Sequence, residues 1–104
     1  RDRCITGVKK AIYHECVEFT AKIRSFPKHT QLVWMKDTIP INLKEPKYMG
    51  STCQGDNPVL CINKVTKEDE AVYSIEAENE FGKGRCCSEK LEVIGGKLIL
   101  NNQF

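Results

Sequence analysis

Long apolar runs are missing from this 104-residue chain. The longest, such as Leu32-Val33-Trp34-Met35, fall far short of the about 20 residues that a bilayer-spanning helix needs. Charge of one sign is not in excess either: 16 basic and 14 acidic residues leave a net +2. That charge is spread along the chain, so the stripe expected of a nucleic-acid or membrane-surface binder is missing. Helical periodicity over two turns does not occur, because Lys67-Glu68-Asp69-Glu70 is too short for more than one turn. There is no Cys-x-x-Cys pair, and His14 and His29 bring no second pair of ligands at finger spacing, so no zinc or other cofactor is expected. Gly82-Lys83-Gly84 has no helix after it to cradle a phosphate. No Asn-x-Ser/Thr acceptor is present, and Arg1-Asp2-Arg3 is not followed by an apolar h-region, so no signal peptide is visible in these residues.

What is present is short alternation. Val17, Phe19, Ala21 and Ile23 alternate with Glu18, Thr20 and Lys22, the pattern of a half-buried strand from Val17 to Ile23. A polar loop with Pro27 leads to Gln31-Leu32-Val33-Trp34-Met35. After Asp56-Asn57-Pro58, the residues Leu60, Ile62 and Val65 make a third apolar spacing. Val72-Tyr73-Ser74-Ile75-Glu76-Ala77-Glu78 alternates cleanly up to Asn79-Glu80-Phe81-Gly82, a hairpin turn. Leu91 and Val93, with Cys87 and Glu89, are placed on one side of a last strand. Short strands at turn-punctuated spacing predict a single all-β domain, an antiparallel sandwich of two sheets.

Three motifs carry a resemblance over roughly residues 8–94. Trp34 sits in Val33-Trp34-Met35-Lys36-Asp37, a corner reads Asp69-Glu70-Ala71-Val72-Tyr73, and a hairpin reads Ala77-Glu78-Asn79-Glu80-Phe81-Gly82. Together they resemble the intermediate-set (I-set) immunoglobulin-like domains strung in tandem in titin, twitchin, obscurin and palladin-type cytoskeletal proteins. The resemblance implies Greek-key connections and a core in which Trp34 contacts both inner faces. It implies that Tyr73 caps backbone at a strand crossing and that Asp69 pairs with a basic residue, for which Lys47 is the candidate. The positions that carry the family's inter-sheet disulfide are here Ala21 and Ile75, so that bridge cannot form. A link closing about 55 residues would be worth roughly 4 kcal/mol; packing of Ile75 over Ala21, Trp34 and Leu60 has to substitute for it. Ala71 stands where the family usually has glycine, which questions the corner's usual backbone conformation.

The six cysteines (Cys4, Cys16, Cys53, Cys61, Cys86, Cys87) do not fall on a core framework. Alternation places Cys16, Cys61 and Cys86 outward and Cys87 inward. Cys53 and Cys61 are symmetric about Asn57 in an expected hairpin, which makes them a candidate disulfide. Three readings stand side by side: reduced thiols in a reducing compartment, a secreted domain with relocated disulfides, and a vicinal Cys86-Cys87 redox or metal site.

No nucleophile with a positioned base emerges. His14-Glu15-Cys16 imitates a thiol–imidazole pair, but i and i+2 on a strand lie about 6 to 7 Å apart with no third group implied. Glu68-Asp69-Glu70 invites a calcium reading, yet consecutive acids point apart where a calcium loop alternates its ligands. Phe81, near a hairpin tip, is a candidate interface anchor. The expectation is therefore a non-enzymatic module of a larger protein. It comprises an N-terminal strand or linker (1–7), the domain (8–94) and a C-terminal linker or tail (95–104). As the resemblance implies, it would space and dock proteins in muscle or cytoskeleton, inside the cell, and be monomeric in isolation. Its partners would be other proteins or neighbouring domains, with no nucleic acid and no membrane insertion. The alternatives are an extracellular adhesion or receptor domain, and a regulatory domain flanking a kinase or exchange factor.

Overall fold

The computed structural model describes residues 5–22, 31–53, 57–79 and 82–95. Within them the alternating segments become β1 (Ile5–Gly7), β2 (Lys10–Ile12), β3 (Val17–Ala21), β4 (Gln31–Lys36), β5 (Ile39–Pro40), β6 (Val59–Ile62), β7 (Tyr73–Asn79), β8 (Gly82–Cys87) and β9 (Glu92–Ile94). Single 3-10 turns span Pro46–Tyr48 and Lys67–Asp69. One sheet has the order β1-β3-β6 and the other β5-β4-β7-β8, each antiparallel throughout. This is the two-sheet sandwich that the alternation predicts. The N-terminal chain leaves the three-stranded sheet after β1, which pairs with β3; β2 then pairs in parallel with β9 as a separate two-stranded sheet. The approach of β1 to β3 needs a residue without Cβ, since a Cβ on Gly7 would stand 2.4 Å from the Phe19 ring.

The inward positions fill one core. Val17, Phe19 and Ala21 of β3 and Leu60 and Ile62 of β6 meet Leu32 and Trp34 of β4 and Tyr73, Ile75 and Ala77 of β7, all buried. Each large aliphatic or aromatic side chain so removed from water stabilises the fold by about 1.5–3 kcal/mol. Phe19 and Tyr73 stack across the two sheets with ring centroids 5.4 Å apart, within the range of favourable aromatic pairs.

Three expectations need correction. The last strand is two strands, β8 and β9, because Leu91 N–H turns aside to bond Ala71 O, and Ser88 Oγ accepts from Tyr73 N–H. Period-two alternation extrapolated back from Leu91 and Val93 therefore slips by one position: Cys86 is the half-buried residue packed on the core, and Cys87 is exposed. The hairpin expected before β6 is also absent among the described residues. Residues 51–53, where its first arm is expected, form no strand; Thr52 N–H bonds Val59 O, and Cys61 N–H bonds the Ser51 side chain instead of a backbone carbonyl. The extension of β3 to Ile23, the tip residues Glu80 and Phe81, and the tail from Gly96 onward lie outside the described residues.

β4 and β5 are joined by the two-residue turn Asp37-Thr38, closed by the Lys36–Ile39 pair. Both residues have positive φ, 49° and 71°, as in the hairpin turns that suit strand twist. Asp37 tolerates this, and its Oδ1 accepts the Val72 N–H at 3.0 Å. Thr38 does not, because a β-branched side chain in the left-handed region is a strained outlier. Replacing Thr38 by Gly is expected to raise stability by about 1 kcal/mol. A urea midpoint for T38G at or below that of the parent would refute this account of the turn.

Candidate functional site

At the crossing from β6 to β7, a buried carboxylate organises the chain. Asp69 ends the Lys67–Asp69 turn, and its Oδ2 accepts the Thr66 N–H at 2.8 Å and lies 2.6 Å from Lys47 Nζ. Lys47 Nζ also donates to Lys64 O at 3.0 Å. Four residues on, Tyr73 Oη donates to Asp69 O at 2.6 Å. Burial, reinforced by the Asp69 charge, pushes the Tyr73 hydroxyl far above its usual range, so it remains a donor at every physiological pH. Burial likewise raises Tyr48, with Asp69 and Glu45 adding to it. Asp69 is buried while Lys47 keeps partial access to water; with Lys47 removed the carboxylate would be left buried without its charge partner, which is costly, so this corner is a structural lock. Ala71 is fully buried beside it and is not among the positive-φ residues; the corner closes without glycine.

In the core, Trp34 pairs in register with Ile75, and Ala21 pairs with Ile5. Ala21, Ile75, Trp34 and Leu60 are each at most 1% exposed. Aliphatic packing thus fills the place of a central bridge. Trp34 Nε1–H finds its acceptor in Thr52 O at 3.0 Å, a tie to the loop before β6 that no periodicity announces.

Of the cysteines, Cys16, Cys53, Cys61 and Cys87 are free thiols. The pair Cys53–Cys61 is not joined, because Cys61 N–H bonds Ser51 Oγ while Thr52 N–H bonds Val59 O. That register sets Ser51, not Cys53, against Cys61. Cys61 Sγ lies against Glu18 Oε2, and burial followed by this carboxylate pushes its thiol up, away from reactivity. Cys86 is disulfide-bonded. His14 stacks on Tyr13 at 4.0 Å, and Cys16 Sγ contacts Asn63 Oδ1, so the two are not brought together as a thiol–imidazole pair. Among the described residues no group of three or more His, Cys, Asp or Glu is placed to hold a metal ion. Phe81 lies outside them.

Two features of the strand framework remain. The parallel β2–β9 pair links the N-terminal and C-terminal strands through the register Lys10–Glu92, Ala11–Val93 and Ile12–Ile94, extended by Glu92 N–H to Lys9 O and Tyr13 N–H to Ile94 O, both 2.8 Å. The other is β8, hydrogen-bonded to β7 on one side and ending its sheet on the other.

A model of the immunoglobulin I-set domain matches residues 7–93. The chain belongs to this family. A titin homolog of Caenorhabditis elegans is 42% identical over 55 residues, which are 53% of this chain and, to the nearest percent, 0% of the relative; the chain spans a minute part of that protein. The M1 domain from titin superposes with a TM-score of 0.72 at 22% identity, covering 85% of this chain and 88% of its own. The titin domains z1z2, solved in complex with telethonin, superpose with a TM-score of 0.71 at 22% identity over 92% of this chain and 50% of theirs. The family is a non-catalytic one, and the chain is similar to modules of structural muscle proteins. Among the described residues no helix is long and apolar enough to cross a membrane.

In this I-set domain the corner is coupled to the C-terminal strand by Glu70, whose Oε2 accepts the Val93 N–H at 2.8 Å. That backbone bond holds the Glu70 carboxyl below the usual carboxylate range; partial burial opposes it, and Lys67 and Lys90 assist. A depressed folded-state pKa contributes stability that is present above the unfolded carboxylate range and lost as pH falls through the folded value. Glu70→Gln is therefore expected to lower the melting temperature at neutral pH and to converge on the parent as pH falls, flattening the acid limb of a plot of melting temperature against pH. An acid limb identical to the parent's would remove Glu70 from the account.

Proposed function

We propose that this I-set domain is a load-bearing spacer and protein-docking module of a multidomain muscle or cytoskeletal protein, working inside the cell. The observation that carries the mechanical part is the parallel β2–β9 pair. Tension applied through the two chain ends pulls β2 and β9 in opposite directions along their common axis. The bonds between them are then sheared together, whereas an unzipped hairpin loses its bonds one at a time. The likeness to titin modules supports a place in the sarcomere, and the titin–telethonin complex supports docking as a second task for a domain of this shape.

The test is single-molecule extension of a tandem repeat of the domain. Glu92→Pro deletes the donor to Lys9 O, and its side chain is exposed, so the unfolding force is expected to drop, with about 1 kcal/mol of stability lost as well. Lys83→Pro is the control, since a proline on an open edge removes no ladder bond. Equal force for E92P and the parent would sink the load-bearing reading.

One observation favours a second reading, an extracellular domain: the disulfide at Cys86. Disulfides persist in oxidising compartments and are rare in the cytosol. Alkylation and mass measurement of unreduced protein from cells separates the two. An intracellular domain shows six free thiols of its six cysteines; an extracellular one keeps Cys86 blocked.

A further inference from the structure

The backbone of β8 shows where docking would occur. Ser88 N–H bonds Tyr73 O at 2.7 Å, so Tyr73 and Ser88 are a hydrogen-bonded pair. In an antiparallel ladder such pairs alternate with non-bonded ones. Carried along the register Ile75–Cys86, Glu76–Arg85, Ala77–Gly84, Glu78–Lys83 and Asn79–Gly82, this turns the N–H and C=O groups of Gly82, Gly84 and Cys86 toward β7. Those of Lys83, Arg85 and Cys87 face away from the sheet. Three successive outward pairs of donor and acceptor form a template for a further strand.

Two other margins of the sandwich, those of β5 and β6, are short or covered among the described residues. β5 is two residues long and ends in Pro40. The margin of β6 is covered by Thr52 N–H on Val59 O, Ser51 Oγ on Cys61 N–H and Asn63 N–H on Lys47 O. β8 offers six residues and no such cover among the described residues.

Its side chains select the occupant. Lys83 and Arg85 point to the solvent side of the sheet, next to Glu78 and Glu76 of β7 in register; Arg85 Nη2 lies 3.4 Å from Glu76 Oε2. Acids therefore flank these cations on the β7 side only. A strand added on the free side places its own alternate side chains against Lys83 and Arg85, where acidic residues complete an acid–base–acid order and basic ones oppose like charges. A second copy of this chain is disfavoured for that reason, because antiparallel pairing of β8 with itself brings basic residues together. We propose that the open edge of β8 docks an extended segment of a partner protein carrying acidic residues at alternate positions, which adds as a fifth strand to the four-stranded sheet. This deepens the docking half of the reading above and is independent of the load-bearing half.

The test titrates the whole domain, isotope-labelled for NMR, with a nine-residue peptide of alternating Glu and Thr and with its Lys-Thr counterpart. The expected result is binding of the acidic peptide, with amide shifts and new exchange protection at Lys83, Arg85 and Cys87. Lys83→Pro, checked as folded by its melting temperature, is expected to weaken binding about tenfold or more, since it removes one outward donor. The double variant Lys83→Glu with Arg85→Glu is expected to reverse the preference between the two peptides. Equal affinity for both peptides, protection mapped to another surface, binding unchanged in K83P, no binding of the acidic peptide, or self-association through β8 each overturns the proposal. Protection at another surface would still leave docking itself in place, and none of these outcomes touches the extension measurement.

Discussion

The buried carboxylate of Asp69 is the constraint on which the rest of this sandwich hangs. A charge at 3% exposure is tolerable only when it is fully engaged, and the engagement fixes four pieces of chain at once. Thr66 is held by its N–H, the loop around Lys47 by its ammonium group, the turn Lys67–Asp69 by its own closure, and β7 by the hydroxyl of Tyr73 on the Asp69 carbonyl. The Tyr73 ring then stacks on Phe19 of the opposite sheet. One residue further along, Glu70 bonds Val93 N–H, so the corner that orders the core also positions β9. The consequence reaches function: the strand that β2 grips is held from its other side by the lock at the crossing.

The core around Ala21 and Ile75 shows how a sandwich stands without a bridge between its sheets. Ala21 of β3 and Ile75 of β7 are buried in one apolar cluster with Trp34 and Leu60. A disulfide acts largely on the unfolded chain, whereas packing acts on the folded one. The exchange therefore makes this domain depend on close complementarity at one spot, where a truncation such as Ile to Ala would cost about 2–5 kcal/mol. Cys86, which is disulfide-bonded, stands in register beside Ile75 and packs against the same core.

How far the sequence could be read follows from which interactions are periodic. Alternation along β3, β4, β6 and β7 was enough to bring Phe19, Ala21, Trp34, Leu60, Tyr73 and Ile75 inward, because a strand buried on one face repeats every two residues. The same rule failed across Ser88 to Leu91, where the chain leaves the ladder to satisfy Tyr73 and Ala71, and Cys86 and Cys87 exchanged faces as a result. The symmetric spacing of Cys53 and Cys61 misled for a related reason: residues 51–53 form no strand, and their alignment with β6 is set by the bonds of Ser51 and Thr52. The left-handed backbone at Thr38 and the Trp34–Thr52 bond leave no trace in composition or period. The open edge of β8 is of the same kind. Lys83 and Arg85 are plain in the sequence, but which way their backbone groups face is decided by a pairing parity that only the Tyr73–Ser88 bond reveals.

That parity also separates the two tasks assigned to the domain. In the proposed spacer role, load along the chain would be resisted between β2 and β9, where Tyr13 N–H bonds Ile94 O. The unpaired row belongs to β8, which precedes β9 in the chain but faces outward on the other side of the break at Ser88–Lys90. A strand added to β8 extends the four-stranded sheet sideways and leaves the β2–β9 bonds as they are. The break at Ser88 to Leu91 thus has a structural use. It lets one C-terminal segment serve first as a margin and then as one side of a clamp, with Ser88 and Leu91 bonded to the start of β7 between the two roles.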